Sequence, residues 1–226
     1  MTTYGQFCPV SKATEIIGEK WTLLILRELL LGTHRFNEFQ RSMCRISPTI
    51  LNKRLKELEE KGIIVRKKVS GRKGYEYRLT QMGRELEPLV EQLAIWGQRW
   101  ARGQMSDDEL DVELLMWDIK RRIDTKKLPD GETIVMFMFR DLDKHKNWWL
   151  VICGEEVDLC TEDPGKDVDL FMVSDVRTMV EVWQGDTELR AALRDDRIIA
   201  TGSENLLRTL SQWFALCSYA NVKSVV

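Results

Sequence analysis

The stretch SPTILNKRLKELEEKGIIVRK, from Ser47 to Lys67, constrains the fold more than any other part of the chain. Ser47 followed by Pro48 is a helix start. The serine oxygen can accept from a free amide of the first turn, and proline there forfeits no intrahelical bond. Gly62 is a stop, and the β-branched run after it begins a strand. At 100° per residue Leu51, Leu55 and Leu58 share a narrow sector, with Ile50 and Arg54 beside it. Thr49, Lys53, Lys56 and Glu60 lie roughly opposite, and Asn52 is on the flank. One side of this helix buries leucines and the other offers hydroxyl, amide and ammonium groups. Such a face suits plain solvation, or contact with a polyanion whose phosphates and base edges those groups can bond.

The neighbourhood favours the polyanion. A helix is expected from Cys8-Pro9, a second over Thr22 to Leu31 closed by Gly32, and a short third from Arg35 with Phe36 and Phe39 turned inward. Met43 to Ile46 make a turn into the helix at Ser47. After Gly62, IIVRKKV and YEYRLT read as two strands joined by the basic turn SGRKG, with Arg72 and Lys73 at its tip. Helix, turn, helix and basic hairpin is the order of a winged helix-turn-helix, whose second helix enters the major groove while the wing meets the flanking backbone. The candidate DNA contacts are Arg35, Ser47, Thr49, Asn52, Lys53, Lys56, Arg72 and Lys73, and the expected partner is a double-stranded, pseudo-palindromic operator.

Charge supports two domains. Residues 1–104 hold 19 Lys and Arg against 11 Asp and Glu, a net of +8, and the remainder holds 15 against 25, a net of -10. The sign changes near GQMSDDELD, so the expected domains are 1–104 and 105–226. The five cysteines, Cys8, Cys44, Cys153, Cys160 and Cys217, form no CxxC, and His34 and His145 stand alone. A disulfide scaffold, a structural metal or a cofactor is not expected. No nucleophile set or glycine-rich phosphate loop points to an enzyme. The apolar runs are too short to cross a bilayer, and the N-terminus lacks the pattern of a signal peptide, so the expected location is the cytoplasm.

The motifs CPV (Cys8 to Val10), GEKWTLLILREL (Gly18 to Leu29), RFNEFQR (Arg35 to Arg41), SPTILNKRLKELEEKGII (Ser47 to Ile64) and YEYRLTQMGREL (Tyr75 to Leu86) resemble the HxlR-type winged-helix transcriptional regulators. The resemblance covers about the first hundred residues. It departs at the wing, where GRKGYEY stands in place of the PPRVEY pattern of many relatives. It implies a dimeric DNA-binding regulator, paired through the terminal helices of this domain. Leu86, Leu89, Leu93, Trp96 and Trp100 are spaced 3, 4, 3, 4 on a helix expected over 81–102, either as a dimer seam or as a stripe packed on its own domain. Cys8 stands at a helix N-cap with Lys12 one turn on, which should lower its thiol pKa. The resemblance implies a sensor of oxidants or electrophiles at this position; a structural thiol is the other reading.

Beyond residue 106 a helix is expected over 107–123, capped by Ser106 with Glu109 in a capping box. Strands follow at TIVMFMFRD, NWWLVIC, EVDLC and DVDLFMVS, spaced as an antiparallel meander. Two helices over 175–195, a short strand IIATG and a helix over 203–217 complete an α+β domain. DLFMVSDVRTMVEVWQGD and IIATGSENLLRTLSQWF resemble the sterol-carrier-protein-like fold, which implies an apolar tunnel between sheet and helices. Trp117, Phe137, Phe139, Trp149, Phe171, Met172, Met179 and Trp183 either line such a pocket or fill an ordinary core. The expected fold class is thus α+β, an N-terminal winged helix-turn-helix followed by a C-terminal sterol-carrier-like domain. The expected function is a homodimeric transcriptional repressor answering to an apolar small molecule or through Cys8. The alternative is a lipid-binding or carrier module whose basic domain only mediates association.

Overall fold

The computed structural model describes residues 3–69, 74–101 and 106–225. The chain forms two compact units, Met1–Ala94 and Ile95–Val226.

In the first unit, α1 (Pro9–Ile17) opens with proline in its first turn and Cys8 as N-cap. α2 (Thr22–Leu30) and α3 (Phe36–Ser42) follow. Glu38 starts α3 by accepting the His34 and Arg35 amides, each at 2.9 Å. α4 (Pro48–Glu60) begins where the sequence places it, with Ser47 Oγ accepting the Ile50 amide at 3.3 Å. Gly62, at φ +73°, turns the chain out of α4 into β1 (Ile64–Lys68). β1 pairs antiparallel with β2 (Tyr75–Leu79), from Ile64 opposite Leu79 to Lys68 opposite Tyr75. Leu51, Leu55 and Leu58 are buried with Ile25, Leu26, Phe39 and Ile63 in one cluster. Beneath it lies the fully buried Glu28, whose carboxylate accepts from Arg27 at 2.6 and 3.0 Å and from Thr33 Oγ1 at 3.1 Å. A buried carboxylate tolerates its desolvation only with such partners.

The single helix expected over 81–102 is two, α5 (Gln81–Arg84) and α6 (Glu87–Trp100). Leu86 lies in the break and packs with Val90 against the buried cluster. Pro88 takes the early position in α6 that a residue without an amide hydrogen favours.

In the second unit the capping box of Ser106 and Glu109 forms, yet it closes only a 3-10 turn. α7 (Val112–Arg122) starts later, with Asp111 accepting the Leu114 amide at 3.0 Å. A five-stranded sheet follows, of β3 (Glu132–Phe139), β4 (Asn147–Cys153), β5 (Glu156–Cys160), β6 (Leu170–Ser174) and β7 (Ile199–Gly202), in the order β5-β4-β3-β6-β7. β3, β4 and β5 form the expected meander. β6 does not extend it, because it lies on the far side of β3 and runs parallel to it. The nine residues between β5 and β6 can cross two intervening strands, roughly 14 Å at the usual strand spacing. Asp169 then ties the crossing to β3, its amide donating to Ile134 O at 2.9 Å and its carboxylate accepting the Ile134 amide at 2.8 Å. α8 (Val176–Gln184), α9 (Leu189–Arg194) and α10 (Glu204–Trp213) complete the unit; α10 stops four residues short of the expected end.

Strand alternation sorts the sheet into two faces. Val135, Phe137, Trp148, Leu150, Leu170 and Met172 face a core shared with α7, α8 and α10. Ile134, Met136, Met138, Trp149, Phe171, Val173 and Ile199 lie on the other face, where Ile134 and Trp149 are buried and Phe171 and Ile199 are exposed.

Candidate nucleic-acid interface

The side chains that α4 turns from its leucine core are open. Thr49, Asn52 and Lys53 are exposed, and among the described residues they have no hydrogen-bond or ion-pair partner. Lys56, 77 % exposed, reaches Glu60 at 3.6 Å, one turn along. Such a surface pair is worth a few tenths of a kcal/mol and yields readily to a phosphate. Ser47 spends one lone pair on the Ile50 amide and keeps its hydroxyl hydrogen for another acceptor. The helix N-terminus beside it adds partial positive charge.

Arg35 sits at the N-cap of α3, with its guanidinium 3.5 Å from Glu76 of β2. Arg78 binds the other oxygen of Glu76 at 2.8 Å, and the two arginines, Arg78 foremost, hold that carboxyl below its usual range. Arg35 thus lies beside the turn end of the paired strands, where Glu76 faces Lys67, and α4 and the hairpin come from the same small unit. Arg72 and Lys73 lie outside the described residues. Sequence reasoning missed Arg41 and Arg45, both exposed at the end of α3 and in the turn before α4. Their closeness to the Ser47 cap was the available signal. Sequence reasoning placed Arg54 beside the leucine sector without partners; the structure turns it inward, at 13 % exposure, onto the α1–α2 turn.

On α6, Leu89, Leu93, Trp96 and Trp100 are all exposed, Trp96 by 60 %. Spaced 4, 3, 4, they make one apolar stripe without Leu86. Cys8 is half-buried at the start of α1. The Ser11 and Val10 amides beside its sulfur lower the thiol pKa. Lys12, expected to share in this, instead pairs with Glu15 at 3.3 Å.

In the second unit Phe137, Phe139, Met172, Met179 and Trp183 belong to the buried core cluster. Trp117 is buried outside that cluster with Lys120 Nζ 4.7 Å above its ring, Trp149 is buried on the outer sheet face, and Phe171 is exposed there. A hollow of about 220 Å³ opens at the β3–β4 end of the sheet, where Thr125, Leu128, Gly131, Thr133, Ile152 and Gly154 contribute to its wall. Among the described residues, no group of three or more His, Cys, Asp or Glu is placed to hold a metal ion. No described helix is long and apolar enough to cross a membrane.

Residues 16–105 match the HxlR-like helix-turn-helix family. The uncharacterized HTH-type transcriptional regulator YdeP of Bacillus subtilis (strain 168) is 40 % identical over 96 residues, 41 % of this chain and 73 % of YdeP. YvaP of the same strain, with the same description, is 34 % identical over 98 residues, 42 % of this chain and 91 % of YvaP. Among solved structures, the redox regulator HypR in its reduced form is 38 % identical over 40 % of this chain and 91 % of its own, with a TM-score of 0.39. YdeP and YvaP are both named as transcriptional regulators. With an open polar face on the helix after the turn, a paired hairpin behind it and relatives matched over most of their length, the chain belongs to the HxlR-like helix-turn-helix family.

Proposed function

We propose that the protein is a homodimeric transcriptional repressor that reads a pseudo-palindromic DNA site. The observation that carries this reading is the free polar face of α4. Thr49, Asn52 and Lys53 stand on a helix anchored by three buried leucines, and none is spent inside the fold among the described residues. The helix backbone that carries them is already fixed, so only side-chain freedom remains to be lost on meeting a base or a phosphate. Ser47, Lys56 and Arg35 extend the face, and Arg72 and Lys73 are assigned to the wing. Leu89, Leu93, Trp96 and Trp100 are the proposed dimer seam, because four exposed apolar side chains in one stripe are costly to leave in water.

Residues 105–226 are the proposed input domain, sterol-carrier-like in element order and answering to an apolar small molecule. The hollow at the sheet end supports this, since Thr133 and Ile152 of its wall lie on the same sheet face as Phe137 and Met172. Any such ligand acts only through different affinities for two arrangements of the dimer. A second input, oxidation or alkylation of Cys8, is favoured by its lowered thiol pKa.

Selection of duplexes from a random-sequence pool tests the reading. The expected product is an inverted repeat with half-sites one helical turn apart, about 34–36 Å. A pool that enriches no motif contradicts DNA reading, and a lone half-site contradicts the dimer.

A further inference from the structure

The first two helices of the unit meet in an unusual joint. Gly18 ends α1 where a Cβ would press on the Thr14 carbonyl oxygen and stand 2.8 Å from Thr14 Cγ2, so the position is closed to other residues. Three residues on, Trp21 starts α2 at φ +79°, a left-handed conformation that a bulky side chain rarely takes. Such a residue persists only where its surroundings hold it, and strained backbone collects at working parts of proteins.

What holds this turn is α4. Arg54 Nε donates to Lys20 O at 3.1 Å, Nη2 to Glu19 Oε2 at 2.8 Å and Nη1 to Glu57 Oε2 at 2.6 Å. Seven residues on, Lys61 Nζ donates to Glu15 O at 3.1 Å and Ile16 O at 3.0 Å, the open carbonyls at the end of α1. Lys61, the C-cap of α4, lies two turns beyond Arg54 in nearly the same direction, and the pair points about a third of a turn round from Thr49, Lys53 and Lys56. Two points fix the direction of a rod, where one would leave it a pivot. The leucines beneath set how deep α4 sits, but apolar contacts are non-directional.

We propose that Arg54 and Lys61 are positioning residues for DNA reading, which set the tilt of α4 by clamping it to the end of α1 and the strained Glu19–Trp21 turn. This rests on the operator reading proposed above. A pivot of a few degrees at Lys61 moves Thr49 by about 1 Å, enough to break hydrogen bonds to base edges, which need good geometry. Phosphate contacts from flexible lysines tolerate such a shift.

The test compares wild type, Arg54→Met and Lys61→Met by fluorescence anisotropy. The probes are a duplex selected by wild type from a random pool and an unrelated duplex of equal length and base composition, at one salt concentration. Methionine keeps the aliphatic stem and removes every donor. Each substitution is expected to lower affinity for the selected duplex about 10- to 100-fold, the loss of one or two base contacts, with the unrelated duplex bound as before. Far-UV circular dichroism checks the helices, and because Lys61 is partly exposed its variant stands if Arg54→Met fails to fold. Equal loss on both duplexes, or no loss, overturns the proposal while leaving DNA reading intact. A wild type that selects no duplex overturns both.

Discussion

Replacing Gly83 by alanine sets helix propensity against packing. Gly83 lies in α5 with an ordinary helical backbone, so propensity alone predicts a gain of about 1 kcal/mol. The structure predicts the opposite sign. A Cβ at this position would press on the Ile63 carbonyl oxygen far inside contact, and would stand 2.9 Å from Leu79 Cδ2 and 3.2 Å from Ile63 Cγ2. The nearest of these is backbone and cannot rotate away. That same oxygen accepts the Thr80 amide at 3.0 Å, and Thr80 Oγ1 accepts the Gly83 amide at 3.2 Å. Relief therefore means lifting α5 from the start of β1 and weakening at least one of these bonds. Overpacking costs about 1–3 kcal/mol and a lost hydrogen bond about 1. Against the propensity gain, the net is a loss of about 1–3 kcal/mol. Native-state amide exchange reads this within the N-terminal unit. Protection at the Tyr77 and Thr80 amides should fall about 5- to 150-fold. Protection equal to or above wild type would refute the packing argument.

Two further outcomes follow from the same kind of reasoning. Gly202→Ala should weaken the β6–β7 edge by about 1–3 kcal/mol, since Gly202 has φ +138° and a Cβ there would meet the Asp169 and Leu170 backbone at 3.0 Å; unchanged exchange in β6 would contradict it. The rate of Cys8 alkylation against pH should have its midpoint below that of the denatured chain, because the Ser11 and Val10 amides favour the thiolate. The stability this gives is present in full above the unfolded thiol pKa and is lost as pH falls through the lower native value; matching midpoints would remove Cys8 as a poised thiol.

The parts of the fold that were legible in the sequence are those fixed locally. The Ser47 cap, the Leu51–Leu55–Leu58 stripe and the Gly62 stop each depend on neighbours within a turn or two, and α4 follows them to the residue. The break between α5 and α6 was hidden because Leu86 keeps the spacing of the stripe that continues at Leu89, although it faces the unit's own core. Pro88 was the available sign. The direction of β6 was not legible, because alternation marks the faces of a strand and carries no polarity. What sets it is a crossing length and the pairing of Asp169 with Ile134, thirty-five residues apart in sequence. Arg54 is the same case within the candidate site. Its position on α4 is plain from the sequence, but the acceptors that turn it inward, Glu19 and Lys20, lie across the fold.

The measurement that bears most directly on DNA reading by α4 is the salt dependence of binding to a selected duplex, for wild type and for Lys53→Glu combined with Lys56→Glu. Both side chains are exposed and outside the core, so the substitutions should leave the fold intact. Wild type should lose affinity about 10³- to 10⁵-fold between 50 and 200 mM salt, as a protein with 6–10 phosphate contacts does. The double variant should bind far more weakly, with a slope smaller by about 1.8 if both lysines neutralise phosphates. An unchanged affinity and slope would mean that α4 does not face DNA.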